Sequence, residues 1–270
     1  MPLIKQIIIA LSEFLLLDKF GRKVLQFFAG LGESSMLLYR SVKNLRYIVR
    51  DRYLIVEQMS IVGVNSIPLV VVTASFAGMV AAVQAGYQLE DFGSPSMFLG
   101  SSTSRAIVIE LAPVLTGLVL AGRFGASIAA EIGTMKVTEQ IDALETMAID
   151  PIRYLATPRI IAGIVMMPIL IIFADLIAMS GSLFIGYTTM DVSPQAFFAS
   201  VEKFMVLRDV LSGLLKALMF GGSTALIGCY VGFATEGGAE GVGMATIRAF
   251  VLSSAAILVN DYIVASVILL

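Results

Sequence analysis

The sequence predicts an all-α integral membrane protein with five membrane helices. Only 14% of its 270 residues are charged, whereas a soluble domain carries about 25%. Its mean hydropathy is +0.92. Five apolar stretches each exceed the ~20 residues that a helix needs to cross a ~30 Å hydrocarbon core. The chain therefore has too little polar surface for a soluble protein of this length.

The composition also argues against several classes of function. The chain has no histidine, the commonest general base and metal ligand. Its one cysteine, Cys229, cannot form an internal disulfide framework. The net charge of −2 gives no basic field for nucleic acid. We therefore expect no catalytic residue, no metal site, no cofactor in this chain and no nucleic-acid partner.

Residues 1–59 form the first predicted domain, an interfacial amphipathic region. Residues 42, 45 and 49 are apolar and residues 43, 46 and 50 are basic, at helical spacing. A helix of this kind places its apolar side in lipid and its basic side against anionic headgroups. A similar apolar stripe occurs at the start of the chain, at Leu3, Ile4, Ile7, Ile8, Leu11 and Leu15. The alternative is that both helices pack on the bundle itself.

Residues 60–270 form the second predicted domain, which contains five membrane segments. The expected segments are residues 60–84, 106–130, 160–187, 211–234 and 249–270. Proline falls inside three of them, at Pro68, Pro113 and Pro168. In a membrane bundle proline kinks a helix rather than ending it, because neighbouring groups satisfy the freed carbonyls. For the first segment a re-entrant path is the alternative to a full crossing.

The distribution of basic residues predicts the orientation of the chain. Nine Lys or Arg residues lie in residues 1–59, three in residues 134–159 and one in residues 235–248. The opposite connections, residues 87–104 and 188–208, carry none and two. Because basic loops stay on the cytoplasmic side, we expect a cytoplasmic N-terminus and a C-terminus outside.

The connection of residues 134–150 is predicted to be a helix of its own. Its apolar stripe and acidic face suit docking into a partner protein, the apolar ridge filling a groove and the charges setting the register. The alternative is a helix on the membrane surface, where acidic residues would meet anionic headgroups. The stripe consists of Val137, Ile141, Leu144 and Ala148, and the acidic face of Glu139, Asp142 and Glu145. Asp150-Pro151 should end the helix.

Besides an arginine of the second segment, four charged residues are expected inside the membrane segments, where a charge is costly unless it has a partner, a cavity or water. Glu110 is interpreted either as a polar contact in a substrate cavity or as a structural hydrogen bond. Lys216 is expected to snorkel towards the outer end of its helix. For Asp175 and Asp261 we expect hydrogen bonds between helices, with a proton relay as the alternative.

Small residues surround an intramembrane arginine in the second segment. Gly122, Arg123 and Gly125 are interpreted as a helix-packing seam, because small side chains let helices approach closely. Arg123 is expected to snorkel towards the inner end of the helix. The pair Gly228 and Gly232 in the fourth segment has the same interpretation.

A long combined motif runs from the second segment into the connection that follows it. Its residues are Glu110-Leu111-Ala112-Pro113, Ala121-Gly122-Arg123, Ala130-Glu131-Ile132-Gly133-Thr134-Met135, Thr138-Glu139-Gln140, Glu145 and Asp150-Pro151. This motif resembles that of the MlaE/YrbE family of permeases, which serve MCE-protein lipid transporters. Looser similarity extends over residues 60–270. Many members place an arginine beside the glutamate, where this chain has Ile109, and Arg105 is not an obvious substitute.

The resemblance implies a homodimeric permease of the cell inner membrane with a cytoplasmic coupling helix. It also implies phospholipid-type substrates, an ABC ATPase subunit, an MCE-domain partner and a small cytoplasmic accessory protein. The chain has no G-x-x-x-x-G-K-[ST] motif, so the partner ATPase must use the ATP.

We expect a lipid cavity between two copies, open to the outer side. Acyl chains need a wide apolar wall, and a headgroup needs a few polar contacts near the mouth. The expected lining is Val80, Val83, Gln84 and Tyr87 from the first segment and Glu110 and Leu111 from the second. Small residues at Ala77, Gly78, Ala81 and Ala82 should leave the space.

Two other functions remain open from the sequence. An ion-coupled secondary transporter would use Glu110, Asp175 and Asp261, but such folds usually contain an internal repeat, and none is evident. A non-transporting membrane scaffold for an MCE protein is the other alternative. Lipid transfer by the purified complex would separate it from a transporter.

Overall fold

The computed structural model describes residues 28–90 and 95–269, together with Gly21 and Leu25. These residues form eleven α-helices and no strand. The helices are α1 (residues 28–43), α2 (Arg52–Val62), α3 (Ile67–Glu90), α4 (Pro95–Ala106), α5 (Ala112–Leu120), α6 (Ala126–Val137), α7 (Gln140–Thr146), α8 (Thr157–Thr189), α9 (Pro194–Phe204), α10 (Leu207–Phe233) and α11 (Gly238–Leu269).

Five single turns of other helical types join or interrupt these helices. Asn44–Tyr47 and Val64–Ser66 are 3₁₀ turns, and Ile107–Leu111, Ala121–Gly125 and Ile152–Ala156 are π turns. Each π turn contains one charged residue, and π turns are frequent at functional sites.

Five continuous segments are long and apolar enough to cross a membrane, which confirms the predicted fold class. They are Arg52–Leu89, Phe98–Val137, Ile152–Thr189, Leu207–Phe233 and Gly238–Ile268. Consecutive connections therefore lie at alternate ends of the bundle. We refer to the end that carries α7 as the α7 end and to the opposite one as the α9 end.

The second segment begins earlier than its hydropathy predicts. Residues 101–104 are polar, yet Ser101, Thr103 and Ser104 are buried. The backbone N–H of Ser101 donates to Ser200 Oγ at 3.1 Å, and a side chain at Gly100 would overlap the Phe197 carbonyl of α9. These turns are buried by α9 rather than by lipid, so a hydropathy profile does not detect them.

Glycines set the spacing of the central helices. A Cβ atom added at Gly221 would lie 2.1 Å from the Gly163 carbonyl oxygen, and one at Gly78 would lie 1.9 Å from the Ala178 carbonyl oxygen. Helices α8 and α10, and α3 and α8, therefore pack backbone to backbone. Helix α8 contacts α2, α3 and α10 and forms the middle of the bundle.

The first predicted domain does not contain the single helix expected over positions 42–50. The apolar positions 42, 45 and 49 do not share one helix, because α1 ends at residue 43 and a 3₁₀ turn and further turns follow. Helix α1 packs in part on the bundle, since Leu37 is buried in the main core and Gly30 adjoins Tyr230 of α10, while Met36 and Tyr39 are exposed. The interfacial position of this region stays a prediction. The predicted stripe over residues 3–15 lies outside the described residues.

Candidate functional site

A buried lysine joins two carboxylates from two other helices. Lys216 of α10 is fully buried, and its Nζ atom lies 2.5 Å from Glu110 Oε2 and 2.7 Å from Asp261 Oδ1. The same nitrogen donates to the Ile109 carbonyl oxygen at 2.9 Å. The contacts with Glu110 and Ile109 are hydrogen bonds, whereas that with Asp261 is an ion pair, since Asp261 Oδ1 has no hydrogen bond among the described residues. The expectation that Lys216 snorkels to the end of its helix is therefore wrong.

The sequence around Glu110 explains why a lysine fits there. In an α-helix the residue at position 113 would donate its N–H to the Ile109 carbonyl, but Pro113 has none. The chain forms the π turn Ile107–Leu111 just before this proline. Lys216 supplies a charged donor to the Ile109 carbonyl, and Glu110, the next residue, receives the second bond.

The three side chains differ in exposure. Those of Lys216 and Asp261 are 0% and 14% exposed, but that of Glu110 is 49% exposed. Two carboxylates against one ammonium give the cluster a net charge of −1 when all three are ionised. About half of the Glu110 side chain thus lies at the surface of the chain inside a membrane segment, where contact of a carboxylate with hydrocarbon would be costly. Glu110 needs water, a headgroup or a second protein surface beside it.

Arg105 does not take the place of the arginine that was expected beside Glu110 and that this chain replaces with Ile109. Its Nε and Nη2 atoms donate to the two oxygens of Asp209 at 2.8 and 3.3 Å. Asp209 is buried at the start of α10 and also accepts from the Val206 N–H at 3.4 Å. This pair ties α4 to α10 at the α9 end. The cation that contacts Glu110 is Lys216 instead.

The predicted cavity residues of α3 divide into two groups. Val80, Val83, Gln84 and Tyr87 are exposed. The small residues that were expected to leave space do not, because Gly78, Ala81 and Ala82 are buried, Gly78 directly against α8. Leu111 packs partly on the main core. Helix α3 contacts the Ile107–Leu111 turn, which carries Glu110.

Helix α7 is shorter than predicted and its apolar side faces inwards. Val137 ends α6, Glu139 follows with a left-handed backbone (φ 60°), and α7 ends at Thr146, before Asp150. Ile141 is buried and Leu144 packs on the main core. Ile141 and Leu144 of the predicted ridge therefore contact this chain's own bundle rather than lying open to a partner, whereas Ala148 is exposed. Docking of this region into a partner stays a prediction.

The surface that α7 leaves open is acidic. Glu139, Asp142 and Glu145 are exposed, and Lys136 lies 3.2 Å from Asp142. A cavity of about 730 Å³ adjoins α7 on the side of α1 and the end of α10. Charged groups with no fixed partner at a bundle end can bind a complementary protein surface.

The segment after α7 is tied to the start of the first span. Arg153 donates to both oxygens of Asp51 at 2.7 and 2.8 Å, and its guanidinium lies 4.0 Å from the centre of the Tyr47 ring. Asn44 donates to Asp150 at 3.2 Å. The hydrogen bonds from Arg153 lower the pKa of Asp51 below its usual range. Sequence reasoning missed this contact.

The predicted packing seam of the second segment is closely packed at one of its glycines. A Cβ atom at Gly125 would lie 2.7 Å from Thr224 of α10, whereas one at Gly122 would make ordinary contact with Phe250 of α11. Arg123 has a different partner, since its guanidinium donates to Ser66 Oγ of the turn between α2 and α3. The Arg123 side chain is thus tied to the neighbouring span and does not extend freely towards the α7 end of its own helix, as expected for snorkelling.

Asp175 has no hydrogen bond of the kind expected. Its Oδ1 atom is buried and has no hydrogen-bond partner among the described residues. Asp261 does contact another helix, through Lys216.

Comparison with known proteins agrees with the fold and with the motif. A family model described as Permease MlaE matches residues 55–267. A probable ABC transporter permease protein of Rickettsia felis is 39% identical over 244 residues, 90% of this chain and 94% of that protein. One of Synechocystis is 44% identical over 206 residues, 76% of this chain and 78% of that one.

A third relative carries a more specific name. The intermembrane phospholipid transport system permease protein MlaE of Haemophilus influenzae is 33% identical over 248 residues, which are 92% of this chain and 95% of that protein. The family match covers most of the chain, including the segment that carries Glu110, Lys216 and Asp261. The chain is a multi-pass membrane protein that belongs to the MlaE permease family.

Proposed function

We propose that this chain is the membrane-spanning subunit of an ABC transporter that moves phospholipid-type lipids between the inner membrane and an MCE-domain partner. The Haemophilus relative, named for phospholipid transport, supports the substrate class. We infer that the chain acts as a homodimer, as the family resemblance implies, because a second copy would enclose the half-exposed Glu110 carboxylate in a cavity away from hydrocarbon.

The observation that carries the proposal is the position of Glu110. Lys216 and the Ile107–Leu111 turn hold its carboxylate in a fixed place, while half of the side chain stays open. A lipid cavity needs a large apolar wall and few polar groups. The exposed face of α3, with Val80, Val83 and Tyr87, supplies apolar surface, and Glu110 supplies a contact for a headgroup amine or for bound water.

A partner ATPase supplies the energy and binds at the α7 end. The acidic face of α7, with Glu139, Asp142 and Glu145, is the surface offered. The N-terminus and α7 lie in the cytoplasm and the C-terminus lies outside. A small cytoplasmic accessory protein belongs to the same complex by resemblance alone.

Transfer of labelled phospholipid by the complete complex in liposomes tests the proposal. With ATP, the complex should move lipid to or from the MCE-domain protein, and Glu110→Gln should lower the rate about ten-fold, as expected for loss of a charged contact. Glu202→Gln, an exposed carboxyl of α9, is the matched control. Transfer driven by a proton gradient without ATP would favour the secondary transporter, and no transfer at all would favour the scaffold.

Photo-crosslinking tests the cavity itself. Crosslinkers at Val80 and Val83 should capture labelled phospholipid above the level found at Ile169, an exposed position on α8. Capture at both α3 positions that only equals that background would contradict the cavity.

A further inference from the structure

A second polar region lies between α2 and α6, away from Glu110. It is a crevice of about 100 Å³. Its lining combines four apolar and four polar or charged side chains, which are Ile61, Val62, Phe124 and Ile128, and Gln58, Arg123, Ser127 and Glu131. An apolar wall with a few polar groups is typical of sites for amphiphilic ligands.

Arg123 is the charge in the crevice that has no carboxylate partner. The other charged side chain of the lining, Glu131, pairs at 2.8 Å with Arg159 of α8, which lies outside the lining. Arg123 donates to the hydroxyl of Ser66, and no carboxylate of the described residues lies within ion-pairing distance of it. The two charged side chains of the lining sum to zero, but Glu131 already has a cation beside it and Arg123 has no anion.

The depth of the crevice matches the headgroup region of one leaflet and the layer just inside it. Gln58 lies six residues after Arg52 and Glu131 six residues before Val137, the ends of their spans. At 1.5 Å per residue both lie roughly 9 Å from the α7 end. Arg123 lies 14 residues before Val137, or roughly 21 Å from that end. The crevice thus leads from the α7-side leaflet towards the middle of the bundle.

We propose that this crevice binds the phosphate group of a membrane phospholipid through Arg123, with Gln58 and Ser127 as neutral hydrogen-bonding groups. A guanidinium binds phosphate through two parallel hydrogen bonds, and an arginine in the apolar layer is costly without an anion. The anion that the adjoining leaflet supplies is the lipid phosphate, which would enter the crevice from the level of Gln58 and Glu131. The Ile61, Val62 and Ile128 side chains contact the adjoining glycerol and acyl carbons.

The crevice differs from the Glu110 cluster in the sign of its unpaired charge. With all three groups ionised the cluster has a net charge of −1 and suits a cationic group, whereas Arg123 is the unpaired charge of the crevice and suits an anionic one. The proposal rests on the proposed function only in taking phospholipid as the class of ligand. Binding to the crevice is measured without ATP or partner proteins, so failure of the crevice proposal can be told from failure of the transport proposal.

The test is photo-capture of lipid by the full-length protein in nanodiscs. A benzoylphenylalanine at Ile61, which is 40% exposed, should capture radiolabelled phosphatidylglycerol and little radiolabelled diacylglycerol, which lacks phosphate. Arg123→Gln should lower the capture of phosphatidylglycerol about ten-fold, the effect expected for losing hydrogen bonds to a charged group. Arg123→Lys should restore part of the capture, because lysine binds phosphate as a point charge.

Two controls separate binding from structure. Ser66→Ala removes the hydroxyl that holds Arg123 and should leave capture within about two-fold, since the guanidinium keeps its phosphate bonds. Arg248→Gln, at an exposed arginine of α11, should leave capture unchanged. If Arg123→Gln does not fold, the comparison of the two lipids on the unsubstituted arginine and the Arg123→Lys variant decide the question.

Three results would overturn the proposal. They are equal capture of phosphatidylglycerol and diacylglycerol, undiminished capture by a folded Arg123→Gln variant, and loss of capture in Ser66→Ala equal to that in Arg123→Gln, which would make Arg123 a structural tie only. Excess inorganic phosphate distinguishes the source of the anion. Capture that persists supports a lipid phosphate, and capture that disappears assigns the crevice to free phosphate.

Discussion

The Ile109 carbonyl oxygen accepts a hydrogen bond from Lys216 Nζ at 2.9 Å. The bond exists because Pro113 provides no N–H for that carbonyl in the α-helical pattern, and it places the ammonium beside Glu110 and Asp261. A backbone irregularity caused by one proline thus positions the charge cluster that spans three helices. The cluster depends on Lys216, since the two carboxylates would otherwise face each other in a low-dielectric layer.

Replacing Lys216 should destabilise the protein strongly. Lys216→Met leaves Glu110 and Asp261 without their cation, and removing one partner of a buried ion pair costs about 3–5 kcal/mol. Thermal unfolding in detergent measures the effect. The double variant Lys216→Met with Asp261→Asn should recover much of the loss, because it removes one of the unpaired carboxylates. A double variant no more stable than Lys216→Met would contradict this account.

The contact between Asp51 and Arg153 should make stability depend on pH at the acid end. Hydrogen bonds from Arg153 lower the pKa of Asp51 from its ordinary value of 3.8. The folded protein therefore binds the proton less readily than the unfolded chain does, so the contribution is complete above that ordinary value and is lost as the pH falls through the lower folded pKa.

Asp51→Asn tests this dependence. The stability difference between the unsubstituted protein and Asp51→Asn should be constant near neutral pH and shrink as the pH falls below about 4. Unfolding by denaturant at a series of pH values measures it. A difference that grows on acidification would show that Asp51 is not stabilised as a carboxylate.

The close approach of α8 and α10 predicts a large effect of one methyl group. In Gly221→Ala the new Cβ would lie 2.1 Å from the Gly163 carbonyl oxygen, and the backbone there cannot move aside without separating the helices. We expect a loss of about 1–3 kcal/mol or more. Gly243→Ala in α11 is the matched control, since nothing lies within 4 Å of the new atom. Equal thermal stability of the two variants would contradict the packing described.

Labelling from the two sides of the membrane tests the orientation. The native thiol, Cys229, is buried and should give little background. A cysteine at Asp142 of α7 should react from the cytoplasm, and one at Glu202 of α9 should react from outside, because one span, Ile152–Thr189, lies between the two positions. Reaction of both cysteines from the same side would contradict the alternation of the five spans.

Charge reversal on α7 tests the contact with the ATPase. Glu139→Lys together with Glu145→Lys should abolish binding of the ATPase and its stimulated ATP hydrolysis, because both carboxylates lie on the open acidic face. Membrane insertion should be unchanged, since the buried Ile141 side of α7 is untouched. Reversal of Glu202 at the α9 end is the control. Normal ATP hydrolysis in the double variant would place the contact elsewhere.

The sequence predicted features that depend on neighbouring residues, and it missed contacts between residues far apart in the chain. Hydropathy predicted five spans, and the Glu110–Pro151 motif predicted the family. Glu110 and Asp261 were recognised as unusual charges, but their shared partner was not, because Lys216 lies 106 positions from Glu110. The pair of Arg105 with Asp209 and that of Asp51 with Arg153 were missed for the same reason, being 104 and 102 positions apart.

By itself the sequence determined the class of the protein, its family and the composition of its spans, because these depend on local apolar content and on a contiguous motif. Tertiary structure decided which charges meet and which faces stay open. Ile141 was expected to contact a partner but is buried within this chain. Gly78 was expected to leave space for lipid, but α8 occupies that space. Helical periodicity defines two sides of a helix, and only packing against the other helices determines which side is covered.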